Sequence, residues 1–291
     1  MARLPDPPAW RRVPVLSGRT ARRILDAAPG AVDVSLDLGR STCAVQVRPE
    51  RVLLPDGQSV AKADLADSFS DPSDCIAVEQ GSCHKVYLYS KARRRYYKLW
   101  QPFQNRAPTV IINNATMHAI VRKDPWQDEA DKVAALPPRG GECLDTCCGL
   151  GYSAQMLAEA GFTRVVTCEV DANVLGVAAL NPWSEGLFCN PRITIFQADV
   201  REFVAGCAAG RFSCVFHDPP TVFQAGELYS EDLYREFARV LSRGGALYHY
   251  VGAPGARVGR DYGRGVMRRL QAVGFVEVRR VTGGVLAARP R

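Results

Sequence analysis

Four acidic residues stand where short apolar runs give out: Asp145, Glu169, Asp199 and Asp218. The first belongs to CLDTCCGLGYSA, residues 143–154, which reads as a strand, a glycine turn at Gly149-Leu150-Gly151 and the opening of a helix. Glycines let the backbone approach a ligand closely, and helix N-terminal N–H groups favour an anionic group there. Gly149-x-Gly151-x-x-Ala154 also fits a dinucleotide fingerprint, so the pattern alone leaves the ligand open. Its neighbours narrow the choice. Asp145, four residues before the first glycine, repels a pyrophosphate but welcomes an amino group. Glu169, closing VVTCEVD, stands where an acid holds ribose hydroxyls. Asp199 in QADV is placed for an adenine amino group, and Phe216-His217-Asp218-Pro219-Pro220 presents polar groups beside the bound molecule. An amine, a ribose, an adenine and a reacting centre in this order describe S-adenosylmethionine.

The elements that must position these residues follow from the hydrophobic pattern. Strands are expected at 143–146, 164–168, 192–197, 212–216, 246–251 and 276–281, the last being VEVRRV. Helices are expected at 152–160, 172–180, 200–208, 233–241 and 263–272. Strands alternating with helices build a doubly wound α/β sheet, which binds ligands beyond the carboxyl ends of its strands. Upstream the texture differs. Residues 1–30 are Pro- and Arg-rich, with only Thr20–Ala27 helical in pattern. Residues 31–125 hold short β-like runs such as VDVSLDL, CAVQV, HKVYLYS and TVII, and predict a small β-rich accessory domain that selects the substrate. The third segment, 126–291, is then the cofactor-binding domain.

Here the chain resembles the class I S-adenosylmethionine-dependent methyltransferases. LDTCCGLGYSA is similar to their first motif, CEVD to their second, QAD to their third and HDPP to their fourth. A nearer likeness is to a family of predicted archaeal-type methyltransferases, carried by NPWS, HDPP-T-VFQAGELYSEDLYREFARVL, GGALYHYVGAPG and the N-terminal LDLGRS, LPDG and MH. The resemblance implies a Rossmann-like domain that takes S-adenosylmethionine. Asp145, Gly149 and Gly151 would hold its methionine part, Glu169 its ribose and Asp199 its adenine. Cys147, Leu150, Val170 and Val200 would flank it, and Asp218 would face the transferring group. In amino-methyltransferases the fourth motif is Asp/Asn-Pro-Pro-aromatic, whose carbonyls and carboxylate accept from the target amine. Here Pro219 and Pro220 are followed by Thr221, with Phe223 two residues on, which weakens the case for a flipped base. His217, His249 and Tyr250 are candidate bases or substrate contacts. His217 and the His249-Tyr250 pair also read as buried packing.

Methyl transfer leaves the protein mainly the alignment of nucleophile, methyl carbon and sulfur. Three other functions compete. An aminopropyl transferase using decarboxylated S-adenosylmethionine shares the fold, but GLGY departs from its glycine-rich run. A nicotinamide oxidoreductase is disfavoured by Asp145 and HDPP. A catalytically silent cofactor-binding RNA module rests on the basic-aromatic run alone.

Composition bounds the rest. The 291 residues carry a net charge of +7, and all of the excess lies in residues 1–125, with 19 basic and 12 acidic side chains. That asymmetry suits an anionic acceptor such as RNA, or serves solubility. Lys91-Ala92-Arg93-Arg94-Arg95-Tyr96-Tyr97-Lys98 interleaves cations with aromatics as nucleic-acid surfaces do, and equally as a solvated hairpin rim does. Arg257, Arg260, Arg264 and Arg268 repeat at helical spacing, as a phosphate-facing row or a solvated face. Ten cysteines without a secretory-type leader point to reduced thiols and a cytoplasmic protein, and no run has the roughly 18 apolar residues of a membrane span. Cys75, Cys83, His84 and His118 could form a scattered zinc site at most, and no metal is expected.

Overall fold

Six of the short apolar runs after residue 140 do become strands, and a seventh joins them. In the computed structural model, which describes residues 7–118, 120–121, 123–137, 140–252 and 261–291, they form one sheet. Its strands are β1 (Glu142–Asp145), β2 (Arg164–Glu169), β3 (Ile193–Gln197), β4 (Phe212–His217), β5 (Leu241–Tyr250), β6 (Val276–Val281) and β7 (Gly284–Ala288). The spatial order is β3-β2-β1-β4-β5-β7-β6. The first five are parallel to their neighbours, whereas β7 runs antiparallel between β5 and β6. The centre of the sheet is continuously apolar, as strands covered on both faces must be. Leu144, Val166, Val215 and Leu247 are each wholly buried there.

The helices α1 (Tyr152–Glu159), α2 (Ala172–Ala178), α3 (Val200–Ala205), α4 (Glu231–Val240) and α5 (Tyr262–Ala272) connect the strands. Local chemistry sets their starts. Ser230 caps α4 by accepting from Leu233 N, and Asp199 caps α3 by accepting from Arg201 N. α4 then buries Leu233, Tyr234, Phe237 and Val240 at helical spacing in the core beside β4 and β5. The seventh strand departs from the expectation that VEVRRV ends the sheet. Thr282 and Gly283 make a two-residue turn with Gly283 at φ +70°, and GVLAA folds back antiparallel into the gap beside β5.

The chain divides into two compact units. One comprises Glu129–Ala172 and Asn190–Arg291, and so contains the sheet; the other comprises Pro8–Asp128 together with Asn173–Cys189. Residues 173–189, which sequence alone assigns to the cofactor domain, thus count with the N-terminal unit. So do residues 8–30. Val15–Ser17 pairs with Cys75–Glu79, and the helix Gly18–Asp26 begins on Ser17 and buries Gly18, Ala21 and Ile24. This unit is built of antiparallel sheets. A meander runs through Gly30–Val34, Cys43–Val47, Arg51–Leu53 and Ser59–Ala61, and a separate four-stranded sheet includes the hairpin Tyr87–Ser90 with Arg95–Trp100. Among the described residues no helix is long and apolar enough to cross a membrane.

Candidate active site at the carboxyl ends of the strands

Sheet register brings the sequence-marked acids to one edge. Asp145 is level with Thr167 on β2 and Phe216 on β4, and His217 with His249 on β5. The reversal of strand order between β1 and β4 opens the crevice where such sheets bind ligands.

Asp145 is fully buried. Its Oδ2 accepts from Thr167 Oγ1 at 2.7 Å and from Ser153 Oγ at 3.1 Å, while Oδ1 has no partner. Burial pushes its carboxyl up to about 7; the two hydroxyls pull the other way, and the nearby Asp218 and Glu169 charges push it further up. A buried carboxylate oxygen without a donor is costly unless a ligand supplies one. An ammonium group does so best. The glycine turn beside it is tightly made: Gly149 and Gly151 take φ +55° and +75°, Cys148 N donates to Cys168 O at 2.8 Å, and Gly151 N to Cys148 O at 2.8 Å.

Glu169 ends β2 and is pushed up to about 7 by burial, against the donors that hold it. Its Oε2 accepts from Gly149 N and its Oε1 from Asp171 N, each at 2.9 Å. These two amides orient the carboxylate and leave each oxygen a lone pair for a hydroxyl. Asp199 is engaged otherwise. Arg201 grips both its oxygens through Nε and Nη2, and that partner holds its carboxyl below the usual range. An adenine amino group would therefore compete with a bidentate guanidinium. Of the flanking residues, Leu150 and Val200 are buried and Val170 is exposed. Burial pushes the Cys147 and Cys148 thiols well up, so neither is a poised nucleophile.

Both histidines are engaged by hydrogen bonds inside the fold. His217 is wholly buried; its Nε2 faces the Leu228 carbonyl at 2.9 Å and must donate, so Nδ1 accepts from Thr146 Oγ1 at 2.6 Å. Burial drops its pKa to about 4. His249 is equally buried and carries its proton on Nδ1, given to Tyr250 O at 2.7 Å, while Nε2 accepts from Tyr234 OH at 2.8 Å. Each imidazole has both nitrogens committed. The loop after β4 is also partly spoken for. Pro220 O accepts from Tyr229 OH at 3.0 Å, and Thr221 Oγ1 donates to Gln224 Oε1 at 3.0 Å. Phe223 is 70% exposed, with its ring edge-to-face on Tyr262.

Sequence reasoning missed Lys132 and Glu129. The helix Pro125–Val133 carries both, and Lys132 Nζ donates to Glu129 Oε1 at 2.6 Å and to Asp218 Oδ2 at 2.7 Å. It also lies 4.3 Å from the centre of the Tyr250 ring. The signal was present in DEADK, where an acid precedes a lysine by three residues on one helix face. Of the arginine row, Arg264 and Arg268 are exposed on α5, while Arg257 and Arg260 lie outside the described residues. No group of three or more His, Cys, Asp or Glu among the described residues is arranged to hold a metal ion.

Comparison with known proteins agrees with this geometry. Residues 143–245 match the family model described as a methyltransferase domain. The uncharacterized protein MJ1233 of Methanocaldococcus jannaschii is 36% identical over 285 residues, spanning 95% of this chain and 96% of that protein. Spermidine synthase from Thermotoga maritima shares the fold with a TM-score of 0.54 at 18% identity, over 70% of this chain and 72% of that one. A spermidine synthase in complex with the transition-state analogue AdoDATO gives 0.56, also at 18% identity and over the same shares. The orphaned Asp145 oxygen, the glycine turn and the Glu169 carboxylate fit S-adenosylmethionine. The chain belongs to the family of the Methanocaldococcus jannaschii protein and is an S-adenosylmethionine-dependent methyltransferase of the class I fold.

Proposed function

We propose that this methyltransferase methylates a nitrogen of an anionic acceptor, and that RNA is the acceptor its N-terminal unit suits. The observation that carries the reading is Asp218. It follows β4 directly, precedes two prolines that have no N–H to offer, and keeps a side chain 15% exposed whose Oδ1 takes no part in the bond to Lys132. A carboxylate so held can accept from an amine N–H, orient its lone pair and take up its proton. S-adenosylmethionine, when bound, supplies the activated methyl. Asp145 accepts from its amino group, Gly149 and Gly151 admit its methionine part, and Glu169 accepts from its ribose hydroxyls. The exposed Phe223 offers a ring face to a planar acceptor.

Support for RNA comes from the hairpin of the N-terminal unit. Tyr87 and Tyr89 are 49% and 56% exposed, and Tyr87 stacks on Tyr96 at 5.8 Å. The connecting turn carries Lys91, Arg93 and Arg94, and no acid interrupts residues 87–98. Exposed aromatics among cations are the elements of single-strand binding. Lys98 stands apart, since it pairs with the buried Asp74.

The test is methyl uptake from labelled S-adenosylmethionine into RNA, into small phosphorylated amines and into putrescine. Label in an N-methylated nucleoside after RNA digestion is the expected result. Label only in a small anionic amine would keep nitrogen and remove RNA. Transfer to oxygen or carbon would overturn the role given to Asp218.

A further inference from the structure

We propose that Lys132 is a resident counter-cation that fills the acceptor-side ammonium site and thereby excludes free amines as acceptors. The inference rests on Asp218 lying on the acceptor side, as argued above. Three groups converge on Lys132 Nζ: Glu129 Oε1 at 2.6 Å, Asp218 Oδ2 at 2.7 Å and the face of Tyr250 at 4.3 Å. Two carboxylates and an aromatic face are the combination that recognises an ammonium ion. The lysine side chain is only 5% exposed, and Glu129 only 4%, so this is a closed cage with its guest attached to the chain. A buried ammonium needs such partners to offset its desolvation, and the two acids need it in turn.

The consequence is a selectivity. A diamine or polyamine would be drawn to these acids, but the directions it needs are taken. An acceptor nitrogen that brings no positive charge meets instead an Asp218 already oriented by Lys132, with Oδ1 outside that bond. Lys132 is in this sense a positioning residue that decides which class of amine is admitted.

The experiment is calorimetric titration with ethylammonium and with putrescine, without S-adenosylmethionine, on the wild type, Lys132→Ala and Lys132→Arg. The wild type and Lys132→Arg should bind neither amine at millimolar concentration, and Lys132→Ala should bind both at least about 10-fold more tightly. Adding Asp218→Asn or Glu129→Gln to Lys132→Ala should abolish the gain. If Lys132→Ala is too unstable to titrate, the same reading comes from its melting temperature, which ethylammonium should raise more than sodium at equal ionic strength. A Lys132→Ala chain that gains nothing specific from the amines overturns the proposal, as does putrescine binding to the wild type. Amine binding by Lys132→Ala together with undiminished methyl transfer by Asp218→Asn would leave the cage standing and remove the acceptor role of Asp218.

Discussion

His217 and His249 meet edge-to-face with ring centroids 4.5 Å apart, and they carry opposite tautomers, Nε2–H on the first and Nδ1–H on the second. They are direct register partners on β4 and β5. Both stay neutral in the fold, with burial dropping His217 to about 4 and His249 well below its usual value. The sign follows from proton binding: the unfolded imidazole takes a proton near 6.5 and the folded one does not, so their contribution is complete above 6.5 and lost as pH falls toward 4. For His217 that amounts to about 3 kcal/mol. His217→Gln should therefore destabilise the protein by about 1–3 kcal/mol, since a buried partner is left unsatisfied. The pH–rate profile should keep its shape. A lost limb in that profile, with the fold intact, would return the base role to His217.

The pH dependence of cofactor binding should instead come from Asp145. Its carboxyl titrates near 7 in the fold, against about 4 when unfolded, so it favours the folded state only at low pH and costs it about 4 kcal/mol above 7. An ammonium group placed on Oδ1 reverses that cost. S-adenosylmethionine should thus bind more tightly as pH rises from 6 to 8, by up to about 10-fold per unit below the carboxyl's titration point. In Asp145→Asn the rise should be shallower and binding at pH 8 weaker by about 10–100-fold. Isothermal titration at four pH values decides this; a wild-type affinity that falls with pH would remove Asp145 from the amino group.

The strand-end positions of Asp145 and Glu169 are legible in the sequence because apolar runs ending in an acid need only local pattern to be seen. Five of the six expected strands fall within a residue of their expected bounds, whereas β5 begins at Leu241 rather than at 246, taking the residue expected to close α4. The commitment of His217 and His249 is not legible, because two of their partners are backbone carbonyls of Leu228 and Tyr250, which no side-chain pattern reveals. Lys132 meets Asp218 across 86 positions of sequence, and only the fold selects it from a nine-residue helix rich in charge. Asp199 is placed for an adenine amino group by its position, and its bidentate bond to Arg201 is a side-chain geometry that the spacing does not reveal.

Glu169 and Asp218 should separate binding from turnover. Glu169→Gln disturbs a carboxylate held by Gly149 N and Asp171 N, and should weaken S-adenosylmethionine binding by about 1.5–3 kcal/mol while leaving the saturated rate within a few-fold. Asp218→Asn should do the opposite, holding the dissociation constant within a few-fold and lowering single-turnover rate by about 100-fold or more. Equal losses of affinity in both variants would place the two carboxylates on the same ligand.

The last strand should matter to the site although it carries none of its side chains. A Cβ added at Gly284 would lie 2.3 Å from His249 O, and under the rigid register of β5 with β7 that carbonyl has nowhere to go. Relief requires β7 to shift away from β5, where Tyr250 and His249 pair with Gly284 and Val285. Gly284→Ala should therefore cost about 1–3 kcal/mol of stability by overpacking, seen as a lower denaturant midpoint at unchanged slope. Because Tyr250 is the ring beneath Lys132, the shift should also loosen the cage, and hydrogen exchange at the end of β5 should accelerate. Gly283→Ala faces a different strain: its φ of +70° disfavours any side chain, and Tyr248 Oη lies 3.1 Å from the added carbon. That hydroxyl donates to Thr282 O at 3.0 Å, so the same variant should break a bond that ties the turn to β5. A Gly284→Ala chain as stable as the wild type would mean that β7 is not held in register by this contact.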